Sequence, residues 1–331
     1  MKVINLYAGA GGLALGFEMA GLEHELLVDN DRDSISTLKR NRPQWNAVYK
    51  DIQDVDYTGY HPDIVVAGLR CETFTHTSRE VCIEDTKQTQ FYEYIRCLQQ
   101  TKPKICMIEN IQGLLHDDRG RTINTILEIL SDELGYRTQY RILNAVNYGV
   151  AQKRKRVFIV GTKKGIKFKY PQKNRKQIVL RDVLKDVPPS DAVQYSDEKK
   201  RVLEQVPPGG CWVDLPEEVQ IEYLSRSRKT KGGKRGTARR LSWDEPCLTL
   251  TTQPSRKLME RCHPDEVRPL TVREYARIQS FPDSWQFCGS TTSKYKQIGK
   301  AVPVKLAYKL GLEFIKALEN RKTVTVQTTL Y

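Results

Sequence analysis

The chain has 331 residues, of which 39% are hydrophobic and 28% charged, a composition typical of a folded protein with a sizeable core. The sequence has neither an apolar run near the roughly 20 residues that span a bilayer nor a signal-peptide pattern, which argues against membrane and secreted proteins. Lys and Arg number 54 against 40 Asp and Glu, a formal net charge of +14. This charge favours a polyanionic partner, nucleic acid before membrane, although a basic enzyme without such a partner fits it equally well.

The first 165 residues alternate short apolar runs with helical patterns, which predicts βαβ units on a mostly parallel sheet. The predicted strands are Val3–Leu6, Glu25–Val28, Ile64–Ala67, Ile105–Glu109, Thr138–Leu143 and Arg156–Thr162. The predicted helices are Leu13–Ala20, Asp33–Arg40, Phe91–Gln100, Thr122–Leu134, Val272–Gln279 and Val304–Leu318. We therefore expect an α/β fold with a doubly wound, mostly parallel sheet and a second, smaller domain.

A glycine-rich turn follows the first predicted strand. Gly9, Gly11 and Gly12 allow a sharp turn and close approach of a ligand, and the following helix N-terminus favours a negative group. Asp29, at the end of the second strand, could bind ribose hydroxyls, and Asp51-Ile52 could flank an adenine ring. The spacing is not GxGxxG and includes no P-loop lysine, which argues against dinucleotides and nucleoside triphosphates. A plain glycine-rich turn is the alternative.

Further motifs follow in order along nearly the whole chain. They are Gly68-Leu69-Arg70-Cys71-Glu72-Thr73-Phe74, Glu109-Asn110-Ile111, Gln152-Lys153-Arg154-Lys155-Arg156, the stretch 268–282 and Gly299-Lys300-Ala301-Val302-Pro303. Together with the turn Leu6-Tyr7-Ala8-Gly9-Ala10-Gly11-Gly12, they resemble the motifs of DNA cytosine-5 methyltransferases of the bacterial and phage restriction-modification type.

The resemblance implies a Rossmann-like methyltransferase fold, with a catalytic domain at 1–180 plus 296–331 and a DNA target recognition domain at 181–295. It implies S-adenosylmethionine as cofactor and double-stranded DNA, with a flipped cytosine, as substrate. The implied cofactor-binding residues are Tyr7, Gly9, Gly11, Gly12, Asp29, Asp51, Ile52 and Lys300. We further expect a cytoplasmic monomer, encoded by a bacterium or phage and paired in some systems with a cognate restriction endonuclease.

The chemistry of the residues supports the catalytic roles that the resemblance gives. Carbon 5 of cytosine becomes nucleophilic after addition at carbon 6, and the thiolate of Cys71 is suited to that addition. Glu109 would hold the N3 proton and the exocyclic amine, while Arg156, supported by Arg154, would bind O2 as negative charge develops there. The eight cysteines show no metal-binding spacing, so we expect reduced thiols and no metal site.

A basic run in the insert predicts contact with DNA phosphates. Residues 226–240 include eight Lys or Arg residues and no acid. The candidate DNA-binding residues are Gln152, Arg226, Arg228, Lys231, Lys234, Arg235, Arg239 and Arg240. Among the residues that could read bases, Gln253 and Arg256 are further candidates. A disordered basic loop is the alternative.

The sequence departs from the family pattern at the reactive centre. The family has Pro-Pro-Cys-Gln where this chain has Leu69-Arg70-Cys71-Glu72, and Asn in the final motif where it has Lys300. Three interpretations remain open: an ordinary methyltransferase, a carboxymethyltransferase that uses carboxy-S-adenosylmethionine, and a catalytically silent DNA-binding homologue. In the second, Lys300, with Arg70 as a further candidate, would pair with the donor carboxylate, whereas an ordinary cationic sulfonium donor would be repelled.

Overall fold

The computed structural model describes residues 1–69, 89–224, 236–256 and 259–328, with the backbone alone for 321–328. The chain divides into two compact units. Unit 1 comprises Met1–Asn144, Lys155–Lys173 and Val304–Tyr331, and unit 2 comprises Ala145–Arg154 and Asn174–Pro303. Within the described ranges, no helix has the length and apolar character that crossing a membrane requires.

The strands and helices follow in chain order. The strands are β1 (Lys2–Leu6), β2 (Glu23–Asp29), β3 (Ala47–Tyr49), β4 (Ile64–Gly68), β5 (Ile105–Ile111), β6 (Arg137–Asn144), β7 (Gln152–Lys153), β8 (Lys155–Thr162), β9 (Arg239–Arg240), β10 (Cys247–Leu248) and β11 (Arg261–Cys262). The helices are α1 (Gly12–Ala20), α2 (Arg32–Asn41), α3 (Thr89–Thr101), α4 (Arg121–Glu128), α5 (Leu180–Val183), α6 (Asp197–Glu204), α7 (Glu217–Leu224), α8 (Val272–Ile278), α9 (Thr291–Lys300) and α10 (Val304–Thr328).

Seven strands of unit 1 form one sheet in the order β3-β2-β1-β4-β5-β8-β6. β1 pairs in parallel with β2 and β4, and β4 pairs in parallel with β5. β8 runs antiparallel to its neighbours β5 and β6. β4, in the middle of the sheet, is apolar, and its run Ile64–Ala67 is buried, as expected where both faces of a parallel sheet are covered. The predicted α/β fold with a mostly parallel sheet is confirmed.

Capping side chains explain where several helices begin. The Asp31 carboxylate accepts a hydrogen bond from the Ser34 amide at the start of α2. Ser196 and Ser290 cap α6 and α9 in the same way. Thr271 forms a capping box with a glutamate three residues later at the start of α8. In each case a side-chain oxygen satisfies an amide that the helix itself leaves unpaired.

The last helix belongs to unit 1, where α10 packs on α1. The contact depends on Gly16, because a Cβ atom there would lie 2.4 Å from the Ala307 Cβ and 2.5 Å from the Val304 carbonyl oxygen. Close approach of these backbones therefore leaves no room for a side chain at residue 16.

A partly buried histidine links the first two strands of the sheet to α1. His24 Nε2 lies 2.8 Å from the Ala14 carbonyl oxygen, which can only accept, so Nε2 is the protonated nitrogen. Nδ1 then accepts from the Asn5 amide nitrogen at 3.1 Å. Burial lowers the pKa of His24. The neutral imidazole is therefore the form that this site stabilises.

The compact units differ in extent from the predicted domains. Residues 145–154 and 174–180 group with unit 2, and so do residues 296–303, which include Lys300. For residues 296–303, hydrogen bonds within unit 2 contribute: the Gln279 side chain donates to the carbonyls of Ile298 and Ala301 and holds the end of α9. Which functions the two units carry remains a prediction.

Replacing Gly16 by Ala should destabilise unit 1 by about 1–3 kcal/mol, because the added methyl group overpacks the contact between α1 and α10. Urea unfolding of the variant measures the effect. Met19→Ala on the same helix is the matched control, since Met19 is 57% exposed and its loss should cost less than about 0.5 kcal/mol. Equal stability of the two variants would contradict this account of the contact.

The stability of unit 1 should fall as the pH drops below about 6.5, the unperturbed pKa of histidine. The unfolded chain takes up a proton at His24 that the folded chain resists, so acid favours unfolding, by at most about 1.4 kcal/mol per pH unit. Urea midpoints at pH 7.5 and 5.5 measure this dependence. A His24→Gln variant should show a shallower dependence, and an unchanged one would assign the effect to other groups.

Candidate active site

The glycine-rich turn joins β1 to α1 at the carboxyl edge of the sheet. Tyr7, Gly9 and Gly11 have positive φ angles of 56°, 54° and 84°. The Ala8 amide donates to the Val28 carbonyl at 3.0 Å, which holds the turn against β2. A Cβ atom on Gly9 would meet no atom within 4 Å, so the turn borders open space. The turn thus brings the half-buried backbone of Gly9 beside the N-terminus of α1, where Gly12 begins the helix.

Two predicted carboxylates lie beside this turn. Asp29, at the end of β2, accepts a hydrogen bond from the Gly9 amide at 2.7 Å and another from the Asp31 amide at 2.8 Å. Asp51 follows β3, caps a short 3₁₀ turn that includes the buried Ile52, and accepts from the Asn30 side chain at 3.3 Å. An ionised carboxylate can accept several hydrogen bonds at once, so both side chains are of a type suited to binding hydroxyl donors.

Tyr7 connects the turn to α3. Its hydroxyl donates to the Gln90 carbonyl at 3.0 Å, and its ring packs against the core of unit 1. Burial raises the pKa of Tyr7 well above its usual value, so the phenol stays protonated. The aromatic ring, the two carboxylates and the helix N-terminus together suit a ligand with an adenosine moiety.

Glu109 and Arg156 form an ion pair at the same edge of the sheet. Arg156 Nε lies 3.1 Å from Glu109 Oε1, and the side chains of Arg156 and Glu109 are only 15% and 10% exposed. Glu109 lies on β5 in register with Phe158 of β8, two residues from Arg156. Because β8 is antiparallel to β5, its first residues lie beside the last residues of β5. The structure therefore brings these two predicted catalytic residues together.

The pair lies where β4 ends. Gly68 is in register with Glu109, a Cβ atom on it would lie 3.7 Å from Glu109 Oε2, and the Leu69 amide donates to the Glu109 carbonyl at 3.2 Å. Cys71 comes two residues later, and Arg70, Cys71 and Glu72 lie outside the described residues.

Four buried cysteines are poor nucleophiles. Burial raises the pKa of the Cys97, Cys106 and Cys247 thiols to about 12 and that of Cys262 to about 11. These thiols remain protonated and weakly nucleophilic at neutral pH. In the described part of the chain, no group of three or more His, Cys, Asp or Glu side chains could hold a metal ion.

Gln152 and Arg154 are buried inside unit 2, at 0% and 2% exposure. Gln152 donates to the Gln279 side chain at 2.9 Å and accepts from the Leu250 amide at 3.1 Å. Arg154 donates to the carbonyls of Leu250 at 3.4 Å and Gly299 at 3.0 Å. We expected Gln152 to face DNA and Arg154 to support Arg156, but their hydrogen bonds instead join β7 to residue 250 and the end of α9.

The remaining predicted site residues have varied environments. Lys300 is the exposed last residue of α9. Arg239 donates to Glu245 at 3.1 Å. Arg240 donates to three carbonyls, those of Val206, Pro264 and Asp265, so its guanidinium is committed to the fold of unit 2. The predicted residues outside the described ranges are Arg226, Arg228, Lys231, Lys234 and Arg235.

The sequence analysis did not anticipate the buried hydrogen bonds of Gln279. Its fully buried amide joins Gln152 to the end of α9. The available signal was a polar residue within the run Val272–Gln279, at the point where the helical pattern ends. A polar residue at this position is equally typical of an ordinary helix end, so the sequence pattern alone does not predict that its side chain is buried and hydrogen-bonded.

Comparison with known proteins places these observations in a family. Residues 1–316 match the C-5 cytosine-specific DNA methylase family. The chain is 47% identical to the type II methyltransferase M.Eco47II of Escherichia coli over 332 residues, covering 96% of this chain and 79% of that one. It is 46% identical to the type II methyltransferase M.Sau96I of Staphylococcus aureus over 330 residues, covering 96% and 76%.

Solved structures support the fold. A prophage-encoded E. coli protein, described as a candidate DNA modification methyltransferase, matches with a TM-score of 0.72 at 23% identity, covering 96% of this chain and 99% of that one. The DNMT2 of Spodoptera frugiperda matches with a TM-score of 0.62 at 18% identity, covering 97% and 99%. The fold, the ordered motifs and the family match lead to one conclusion: the chain belongs to the C-5 cytosine-specific DNA methylase family and is a DNA (cytosine-5) methyltransferase.

Proposed function

We propose that Cys71, Glu109 and Arg156 modify a flipped cytosine at the carboxyl edge of the unit 1 sheet. The observation that carries this proposal is the Glu109–Arg156 ion pair of 3.1 Å, largely buried beside the end of β4. Buried charges of opposite sign are suited to a ring that needs a proton at N3 and a cation at O2. Cys71 follows Leu69 by two residues in the sequence, and we assign the nucleophile to it on the family motif.

The three side chains divide the chemistry. The Cys71 thiolate forms a bond to carbon 6, while Glu109 protonates N3 and the Arg156 guanidinium stabilises the negative charge at O2. The resulting enamine makes carbon 5 nucleophilic, so carbon 5 would form a bond to the transferred carbon as the bond from that carbon to the donor sulfur breaks and a neutral thioether leaves. A base, for which water is a candidate, then takes the carbon 5 proton, the thiolate leaves carbon 6, N3 returns its proton to Glu109 and the aromatic ring is restored.

The family uses S-adenosylmethionine, which supplies an electrophilic methyl group when bound. We assign its adenosine part to Tyr7, the Gly9–Gly12 turn, Asp29, Asp51 and Ile52, because these residues combine an aromatic ring, open backbone and carboxylates at one sheet edge. Lys300 belongs to this assignment through its place in the final sequence motif alone.

The type II relatives suggest a modification role within a restriction-modification system. We propose that the protein acts as a monomer on double-stranded DNA in a bacterial or phage setting, alongside a cognate restriction endonuclease. The surplus of Lys and Arg over Asp and Glu supports DNA contact, and we assign target recognition to unit 2, in which the basic run 226–240 lies.

DNA that contains 5-fluorocytosine should trap the protein covalently, because fluorine at carbon 5 blocks the elimination that releases Cys71. Cys71→Ser should abolish the adduct, and Glu109→Gln or Arg156→Met should slow its formation by about 10²–10³-fold. Lys155→Met, an exposed neighbour of Arg156 on the same strand, is the matched control and should react normally.

Denaturing gels measure the covalent adduct, and DNA affinity at several salt concentrations measures non-covalent binding. DNA binding without an adduct would support the silent homologue instead. An adduct that persists in Cys71→Ser would contradict the assignment of the nucleophile.

A second candidate reaction rests on Lys300, the residue that replaces Asn in the final motif. Lys300 ends α9, and its backbone is anchored because Arg154 donates to the carbonyls of Gly299 and Lys300 at 3.0 and 3.5 Å. An ammonium in this motif would pair with a donor carboxylate, so we propose carboxy-S-adenosylmethionine as a second donor and 5-carboxymethylcytosine as its product.

Lys300→Asn should shift donor preference toward S-adenosylmethionine by about tenfold or more, the effect of losing one charge-assisted hydrogen bond. Nucleoside mass spectrometry of DNA incubated with each donor separately measures both products. The neighbouring Lys296→Asn is a control on the same helix and should leave the ratio of products unchanged. Equal donor preference in Lys300→Asn and the parent would exclude this second reaction.

A further inference from the structure

The whole formal surplus of positive charge lies in one stretch of the sequence. Residues 134–181 include 14 Lys or Arg residues and neither Asp nor Glu. The rest of the chain has as many Lys and Arg residues as Asp and Glu residues, 40 of each. The acid-free stretch includes β6 and β8, which form one side of the unit 1 sheet. Much of the surplus is therefore collected on that side of unit 1.

A basic cleft of about 470 Å³ opens between the turn that precedes β6 and the turn that follows β8. Gly135 and Gly165 lie on its two sides with positive φ angles of 63° and 87°. A Cβ atom on either glycine would meet no atom within 4 Å, so both turns border open space. The cations that line the cleft are Arg137, Lys163, Lys164 and Lys167.

Lys163 is held in place inside this cleft. Its ammonium donates to the Leu134 carbonyl, and its Nζ lies 4.0 Å from the centre of the Tyr136 ring. Tyr136 is itself buried, and its hydroxyl donates to the Pro103 carbonyl at 2.8 Å. A side chain that is already held loses little conformational entropy when it binds a ligand. An ammonium has three donors, so Lys163 can hold the Leu134 carbonyl and an anion together.

The positive charge continues beyond the cleft. Lys167 and Lys169 are exposed, whereas Phe168 and Tyr170 are buried, so the two lysines face outward. The Tyr170 hydroxyl donates to the Gln139 carbonyl at 3.1 Å, which holds this segment against β6. We define the β6–β8 basic surface as Arg137, Arg141, Lys163, Lys164, Lys167 and Lys169.

Carboxylates do not neutralise the β6–β8 basic surface: within the described residues, none of its six cations forms an ion pair. Two other lysines at the same edge of the sheet, Lys2 and Lys104, do pair, with 3.0 and 2.6 Å between Nζ and a carboxylate oxygen. The acids nearest in sequence, Asp132 and Glu133, precede the cleft and are exposed. Cations held together without acids repel one another, so a polyanion from outside the chain would be favoured here.

The cleft and the candidate active site lie at opposite edges of the unit 1 sheet. Arg156, near the start of β8, is in register with Ile111, whereas Thr162, at its end, is in register with Ile105. Six residues of extended strand span about 20 Å. Duplex DNA is stiff over about 150 base pairs, so a short duplex at one edge does not bend round to the other. The β6–β8 basic surface is therefore separate from the site of Glu109.

We propose that the β6–β8 basic surface binds the phosphates of a second segment of double-stranded DNA, while the first lies at the catalytic edge. Arg137 and Arg141 share one face of β6 and are about 13 Å apart along the strand, which suits a row of phosphates better than a single phosphate group. Contacts to phosphates carry no sequence information. The surface would thus hold the enzyme on any neighbouring DNA, whichever residues recognise the target.

A bridging assay tests this second DNA site. Protein held on a short immobilised duplex should capture a fluorescent duplex from solution, whichever surface holds the first. Lys164→Gln, Lys167→Gln and Lys169→Gln, combined in one variant, should weaken capture by about tenfold or more. The same variant should make the dependence of log Kd for the second duplex on log salt shallower by about two to three, because three phosphate contacts are lost.

A variant that combines Lys39→Gln, Arg40→Gln and Lys316→Gln is the matched control. It removes three exposed positive charges from unit 1 outside the β6–β8 basic surface, so the two variants have the same net charge. It should capture the second duplex as the parent does. Both variants should melt within a few degrees of the parent, because exposed side chains contribute little to stability.

Three outcomes would overturn the proposal. The parent might capture no second duplex, which would leave the protein with a single DNA site. Equal capture by the parent and the Lys164, Lys167 and Lys169 variant would assign bridging to another surface or to a second copy of the chain. Equal losses in both variants would reflect net charge alone. Capture of an RNA duplex but not of a DNA duplex would overturn the choice of DNA as the partner.

Discussion

The parallel register of β1, β2, β4 and β5 is the constraint on which the candidate site depends. Because these strands run in the same direction, their last residues meet at one edge of the sheet. The turn after Leu6, the carboxylate of Asp29, the chain leading from Gly68 and the carboxylate of Glu109 all follow from that register. Shifting one strand by a single residue would move its side chains to the opposite face and separate them.

The antiparallel strand β8 completes this edge. A parallel strand brings its last residues there, whereas β8 runs the opposite way and brings Arg156, its second residue. A cation and an anion that are 47 residues apart in sequence are thereby held 3.1 Å apart. The local reversal of direction is thus what allows a single sheet to pair these charges at its carboxyl edge.

Six strands of the large sheet could be predicted from the sequence, because apolar runs bounded by turns mark them. Glu109 and Arg156 were placed at one site through the family resemblance, and the antiparallel direction of β8 that pairs them was not predicted. The environments of Gln152 and Arg154 could not be predicted either. The sequence analysis expected Arg154 to support Arg156 and Gln152 to contact DNA. The structure ends β7 at Lys153 and begins β8 at Lys155, and it groups Gln152 and Arg154 with unit 2 and Arg156 with unit 1. A short break between strands leaves no mark in residue spacing.

The net charge of the chain overstates the number of cations available to contact DNA. Arg154, Arg240 and Lys199 each contribute to the surplus of +14, yet the structure commits them to carbonyls or to a carboxylate inside unit 2. In irregular segments, many backbone carbonyls have no neighbouring strand to donate hydrogen bonds to them. A cation stabilises such segments because it can donate to several carbonyls at once. A basic composition in such a unit therefore reflects two demands, the folding of turns and the binding of phosphates. Separating them requires the hydrogen-bond partners of each cation, because composition counts both alike.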